Sequence, residues 1–260
     1  MLTEQKIQNI IADPEAGMWL IDKPTDWTSH DVVAKLRGLS KIKVIGHTGT
    51  LDPFATGLLI CLTGKATKLV DYFHDFKKTY LATIKLGCVS DTFDRTGQIL
   101  NAKSEIPALP AGRLNKSKIQ IEEIQKTLTS FIGKQQQLPP MFSAKKIAGQ
   151  KLYKLARQGK SVERELNEIE IYSLDLISFD AKALILEIRV VCSTGTYIRS
   201  LAHDLGEKLG TGAVLWELRR EIIGPFGVNE AIILLETNQG ILLEKMIKPA
   251  QILAILPKLC

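Results

Sequence analysis

The sequence is poor in the residues that build covalent or metal frameworks. Its 260 residues include four cysteines, at positions 61, 88, 192 and 260, and four histidines. No two cysteines form a C-x-x-C pair, and no histidines stand in an H-x-x-x-H or H-E-x-x-H spacing, so neither a disulfide framework nor a metal site is expected. Two of the cysteines fall inside apolar, strand-like runs, where a reduced, buried thiol is the ordinary state. No apolar run approaches the ~20 residues of a membrane helix. Residues 1–17 are polar, with Glu4, Asp13 and Glu15, and lack the basic start and apolar centre of a secretory signal. There is no internal repeat and no low-complexity segment. A cytoplasmic protein without a membrane partner is the expectation.

What is present is an ordinary globular composition, 45% hydrophobic and 24% charged, in a chain long enough for a sizeable core. The 34 Lys and Arg against 28 Asp and Glu leave a modest +6. Its distribution says more than its sum. Between Ser143 and Arg164 stand seven basic residues (Lys145, Lys146, Lys151, Lys154, Arg157, Lys160, Arg164) and one acid, Glu163. Phe142 and Tyr153 interleave with them. Such a run is either a solvated basic helix or a surface that grips a nucleic-acid backbone and stacks on bases.

The other unusual stretch is Gly46-His47-Thr48-Gly49-Thr50-Leu51-Asp52-Pro53-Phe54-Ala55-Thr56-Gly57. Its glycines and proline forbid a regular helix or strand, so it reads as a loop. It leads into Leu58–Leu62, an apolar run short enough for a buried strand. Asp52 is either a turn residue bonding nearby amides or a reactive carboxylate held still against the core. Upstream, Met18–Ile21 reads as a strand, and Thr28 to Asp31 as a capping box opening a helix that stops at Gly38. Ser29-His30-Asp31 cannot form a hydrolase relay, because three consecutive helical side chains diverge.

Downstream, Gly64-Lys65-Ala66 enters a helix through Leu69, Val70 and Phe73, but lacks the spacing of a phosphate-binding loop. Lys78–Gly87 alternates as a strand with Tyr80, Ala82, Ile84 and Leu86 on one face. Asp91 and Asp94 read as turn residues. A helix opens at Ser117 and closes at Gly133, and an extended Pro139-Pro140 segment follows. Two strands turn around Asp180. A helix starting at Tyr197 places Arg199 in its first turn, where a cation opposes the helix dipole and a partner carboxylate would make sense of it. The stretch 214–223 reads as a strand containing Leu218.

Taken together, these stretches resemble the bacterial tRNA pseudouridine synthase B family over residues 18–227. The resemblance is carried by Gly46–Pro53 with Ala55, Gly57, Leu59 and Gly64–Leu69; by Lys78-Thr79-Tyr80 with Leu86-Gly87, Asp94 and Gly97; and by Cys192–Leu201 with Asp204-Leu205-Gly206 and Leu218-Arg219-Arg220. Lys23-Pro24, Thr28-Ser29, Pro139-Pro140, Ser143-Ala144, Lys146 and Tyr153 through Gly159 extend it. Asp26 stands where the family often has glycine, and Phe142 where it often has tyrosine.

The resemblance implies an α+β fold with a largely antiparallel central sheet flanked by helices. Residues 18–235 would form the catalytic domain and 137–164 an RNA-gripping insertion. Residues 1–17 are read as an extension and 236–260 as a short tail, without a full PUA domain. It also implies isomerisation of the T-loop uridine of tRNA to pseudouridine by a monomer without cofactor or metal. Asp52 would act as nucleophile or base with Arg199 as its ion-pair partner. Tyr80 would stack on the base and help remove a proton, and His47, Tyr197, Leu218 and Lys23 would bind substrate. Lys145, Lys146, Lys151, Lys154, Arg157, Arg219 and Arg220 would hold RNA. A catalytically silent RNA-binding protein on the same scaffold is the alternative.

Overall fold

The structure, a computed structural model, describes residues 3–101, 119–142, 146–147, 150–151, 162 and 164–256. Lys145, Lys154, Arg157, Tyr153 and the expected helix start at Ser117 lie outside the described residues. In chain order the elements are α1 (Glu4–Ile11), β1 (Gly17–Lys23), α2 (Ser29–Ser40), β2 (Ile45–His47) and β3 (Thr56–Thr63), then a 3-10 segment over Gly64–Asp75. β4 (Lys78–Leu86), β5 (Cys88–Ser90), β6 (Ile99–Asn101), α3 (Ile121–Thr129) and β7 (Gly133–Gln137) follow. Next come β8 (Lys146–Ile147), β9 (Gln150–Lys151), β10 (Asn167–Asp180), β11 (Ile185–Cys192), α4 (Ile198–Lys208) and β12 (Ala213–Ile223). β13 (Phe226–Gly227), β14 (Ile232–Ile233), α5 (Gln239–Glu244) and α6 (Pro249–Ile255) complete the series. The chain divides into two compact units, Met1–Thr79 with Arg219–Cys260, and Tyr80–Leu218. The mixed α+β composition and mostly antiparallel pairing agree with the class expected from the sequence.

In unit 1, β1 and β3 pair antiparallel from Gly17↔Thr63 to Lys23↔Gly57. β2 joins β3 antiparallel, with His47 opposite Cys61. β14 lies parallel to β1, and the end of β12 parallel to β3. Successive side chains of a strand point to opposite faces, and here both faces are covered. Met18, Leu20, Leu58, Ile60 and Leu62 enter one core with Ile10, Leu69, Phe73, Phe226 and Ile252. Trp19, Ile21, Leu59 and Cys61 enter another with Val32, Val33, Leu36 and Leu242. That double burial is why the 58–62 run is apolar throughout. The first core takes in residues of both 1–17 and 236–260, the stretches that the sequence reading set apart as extension and tail.

Two local expectations change. The glycine at 38 does not stop α2, which runs on to Ser40 and is closed by Lys41 in the left-handed conformation (φ 64), its N–H on the Arg37 carbonyl. One glycine inside a helix costs about 1 kcal/mol, and the burial of Val32, Val33 and Leu36 outweighs it. Gly64–Asp75 winds as 3-10 turns, a three-residue repeat that aligns Ala66 with Leu69 on the core. Its first turn is held by Asp13, whose Oδ2 accepts the Lys65 N–H at 2.6 Å. At its end Lys78 Nζ donates to the carbonyls of Phe73, His74 and Phe76. The capping box is present as read, with Thr28 and Asp31 bonding reciprocally.

Unit 2 is built on the β10–β11 hairpin, turned at Asp180, whose Oδ1 accepts the N–H groups of Lys182 and Ala183. β11 alternates, with Leu186, Ile188, Val190 and Cys192 buried. β7, a polar strand that the sequence reading did not separate from the following loop, pairs antiparallel with the start of β10. α3 buries Ile124 and Leu128. β4 keeps the expected phase, with Ala82, Ile84 and Leu86 buried and Tyr80 half-buried.

Candidate active site

The loop carrying Asp52 is fastened point by point to the rest of unit 1. Ser29, fully inside at the start of α2, accepts the Leu51 N–H at 3.0 Å and donates to the Leu51 carbonyl at 3.4 Å. Lys23, at the end of β1 and 0% exposed, donates from Nζ to the carbonyls of Pro24 (2.8 Å), Trp27 (2.6 Å) and Pro53 (3.1 Å). Thr25 Oγ1 donates to the Phe54 carbonyl. The loop also closes on itself, with the Ala55 N–H on the Asp52 carbonyl at 3.1 Å. Leu51, Phe54 and Ala55 are buried under it, while Asp52 itself is half-buried. A carboxylate so placed can meet a ligand without moving its backbone.

Gly57 ends the loop at φ 102, and a Cβ there would stand 2.3 Å from the Arg220 carbonyl oxygen. Only glycine permits this approach. It follows from the parallel register Arg219↔Thr56 and Arg220↔Gly57. The register also sends the two arginines different ways. Arg219 forms a two-point salt bridge with Asp22 (Nη1–Oδ1 3.1 Å, Nη2–Oδ2 2.7 Å) and keeps a side-chain exposure of 39%. Arg220, expected from the sequence to face RNA, is only 2% exposed, with Nε on the Leu58 carbonyl (2.7 Å) and Nη2 on the Gly49 carbonyl (3.1 Å).

Burial and charge set the titration of this unit. Lys23 is pushed down to about 8 by burial, against the pull of Asp52. His47 is pushed down to about 4, first by burial and then by its neighbours His30 and Arg220, so its imidazole is neutral near pH 7. Its ring stands edge-on to His30 at 5.8 Å. Its Nδ1 is buried with no hydrogen-bond partner among the described residues. Burial drives the Cys61 thiol up to about 12, which keeps it unreactive.

Arg199, in unit 2, is 5% exposed at the start of α4. Its Nη1 lies 3.3 Å from Asp94 Oδ2 and donates to the Thr92 carbonyl, and its Nη2 donates to the Phe142 carbonyl at 2.9 Å. Asp94, which the sequence reading left as a turn residue, is thus the carboxylate beside a candidate site residue, and is itself 3% exposed. Its Oδ1 accepts from Thr92 Oγ1 and from the N–H and Oγ1 of Thr96. The turn is tied to β12 by hydrogen bonds between the backbones of Phe93, Arg95 and Leu215. A second missed residue, Gln137, clasps Tyr197 from both sides: Oε1 accepts its N–H at 2.8 Å and Nε2 donates to its carbonyl at 3.0 Å. Ser200 Oγ donates to the neighbouring Leu138 carbonyl. Tyr197 is half-buried and Leu218 buried. Separations of 60 and 105 residues in sequence hid both partnerships; the only advance signal was a cation at a helix start.

Lys146 and Lys151 pair across the short β8–β9 ladder. Among the described residues no group of three or more His, Cys, Asp or Glu is placed to hold a metal ion. No described helix is long and apolar enough to cross a membrane.

The sequence matches the TruB family pseudouridylate synthase N-terminal domain over residues 37–198 and the tRNA pseudouridylate synthase B C-terminal domain over residues 199–253. It is 48% identical to the tRNA pseudouridine synthase B of Geobacter sulfurreducens over 83% of this chain and 67% of that protein. With the enzyme of the same name from Clostridium tetani it shares 44% identity over 86% of this chain and 73% of that one. Among solved structures it resembles a chain of a Cbf5-Nop10-Gar1 complex, with a TM-score of 0.64 and 28% identity. That match covers 88% of this chain and 55% of the other, so the chain spans little more than half of that protein's length. These matches give the class, an RNA-modifying isomerase. The chain belongs to the TruB family of pseudouridylate synthases.

Proposed function

We propose that the protein converts the T-loop uridine of tRNA to pseudouridine. The observation that carries this reading is the Asp52 loop: a half-buried carboxylate on a backbone held by Ser29, Lys23, Thr25 and Arg220, in a chain of this family. The reaction breaks C1′–N1, turns the uracil, joins C5 to C1′, and moves one proton from C5 to N1. Atoms and electrons balance without a co-reactant. Asp52 attacks C1′ or assists elimination at the sugar, and needs to be ionised for either. Arg199, held by Asp94 and Thr92, is the cation that the family resemblance assigns to the reaction.

The target base leaves its stack at a cost of a few kcal/mol, which stacking on Tyr80 offsets by about 1–3 kcal/mol. Tyr197 and Leu218 line the base pocket, and neutral His47, with its unsatisfied Nδ1, meets the RNA. Lys23 acts on the loop through Pro53. The basic segment 137–164 grips the T-arm, and the protein works as a monomer. Asp52→Asn tests the assignment on a tRNA transcript tritiated at uridine C5. Tritium release should fall on the order of 10⁴-fold while tRNA binding survives. Undiminished release, or an abasic site in place of an isomerised one, would overturn it.

A further inference from the structure

Arg220 grips the Asp52 loop at both of its feet. One planar guanidinium bonds the carbonyl of Gly49, three residues before Asp52, and that of Leu58, six residues after it. Ser29, Lys23 and Thr25 each hold a single residue in between. The reach of Arg220 is set by its backbone, docked so closely on Gly57 that no side chain fits between them. Its charge is also unusual. Among the described residues no carboxylate forms an ion pair with it, although it is 2% exposed and a neighbour of the buried Lys23. A buried cation without a counter-ion is an expensive way to fill space, and an apolar side chain of like volume would serve stability better.

We propose that Arg220 is a positioning residue of the reaction: it fixes the distance between the loop's feet, and so the attitude of Asp52 toward the sugar, without touching RNA. The inference rests on the isomerase reading given above. A guanidinium suits the task because its rigid fork can serve two carbonyls at once, which an ammonium on a flexible stem does less well.

The test compares the full chain with its Arg220→Gln and Arg220→Lys variants on the C5-tritiated tRNA transcript. Arg220→Gln should slow single-turnover tritium release about 10²-fold, the scale of a misplaced catalytic group, with the Kd for the transcript nearly unchanged. Arg220→Lys should recover part of that rate. Hydrogen exchange gives a second reading that does not depend on activity: the Leu51 and Ala55 amides should exchange faster in Arg220→Gln, with β1 amides unaffected. A wild-type rate in Arg220→Gln, or a loss of binding equal to the loss of rate, overturns the inference; the latter would put Arg220 on RNA. If Arg220→Gln does not fold, the same measurements on Arg220→Lys decide. If the unaltered chain releases no tritium, the isomerase reading fails and loop exchange alone judges the clamp.

Discussion

Arg199 and Arg220 are both nearly sealed from water, and they differ in one partner. Arg199 in unit 2 meets, besides the carbonyls of Thr92 and Phe142, the carboxylate of Asp94, itself buried and bonded by threonine donors. Arg220 in unit 1 meets, among the described residues, backbone carbonyls alone. The first arrangement fixes a cation by a carboxylate, while Gln137 and Ser200 add to the hold on the backbone of and around α4. The second uses the cation to fix the backbone. In this chain one buried arginine is thus a held group and the other a holding group. The difference follows from what each faces: the 90–97 turn offers a carboxylate beside a main-chain carbonyl, whereas the feet of the Asp52 loop offer main-chain oxygens.

The largest effect that would break this contrast comes from the held arginine. Asp94→Ala removes the buried carboxylate that Arg199 meets, and urea unfolding should lose about 3–5 kcal/mol, the cost of breaking a buried pair from one side. A loss below about 1 kcal/mol, the worth of an exposed pair, would mean that Asp94 is not its counter-ion. A smaller effect separates the cations of unit 1. Burial lowers Lys23 to about 8 from 10.5, so between these values the unfolded chain binds more protons than the folded one. Stability from this group therefore rises with pH across that window and is lost as pH falls through 8. Against Lys23→Met, the unaltered protein should gain about 2–3 kcal/mol from pH 8 to 10.5; parallel stability curves would place the amine in solvent. The smallest effect is Thr28→Ala, which removes one half of the capping box of α2 and should cost about 1 kcal/mol in thermal unfolding. Because Ser29 beside it holds Leu51, faster Leu51 amide exchange in this variant would show that the loop leans on the helix cap.

Much of this architecture could be read from local chemistry. The capping box at Thr28, the apolar strand at 58–62 and the alternation of β4 each rest on neighbours a few residues apart, where spacing and side-chain type are enough. Gly38 and the 3-10 turns after Gly64 departed from expectation because packing outweighed propensity: Leu36 and the three-residue step from Ala66 to Leu69 had cores to reach. Asp94, Gln137 and the inward turn of Arg220 had no local sign.

By itself the sequence determined that Asp52 stands in a glycine-rich loop before a buried strand, that Arg199 stands in the first turn of a helix, and that basic residues cluster after 143. Those facts depend on residue type and order. Only the tertiary structure decided what each charge does, because that depends on register. Parallel pairing of Arg220 with Gly57 turns its guanidinium under the loop, while Arg219, one residue earlier, points to the other face and pairs with Asp22. Adjacent residues in a strand have opposite outlooks, and no reading of Leu218-Arg219-Arg220 alone tells which arginine faces in.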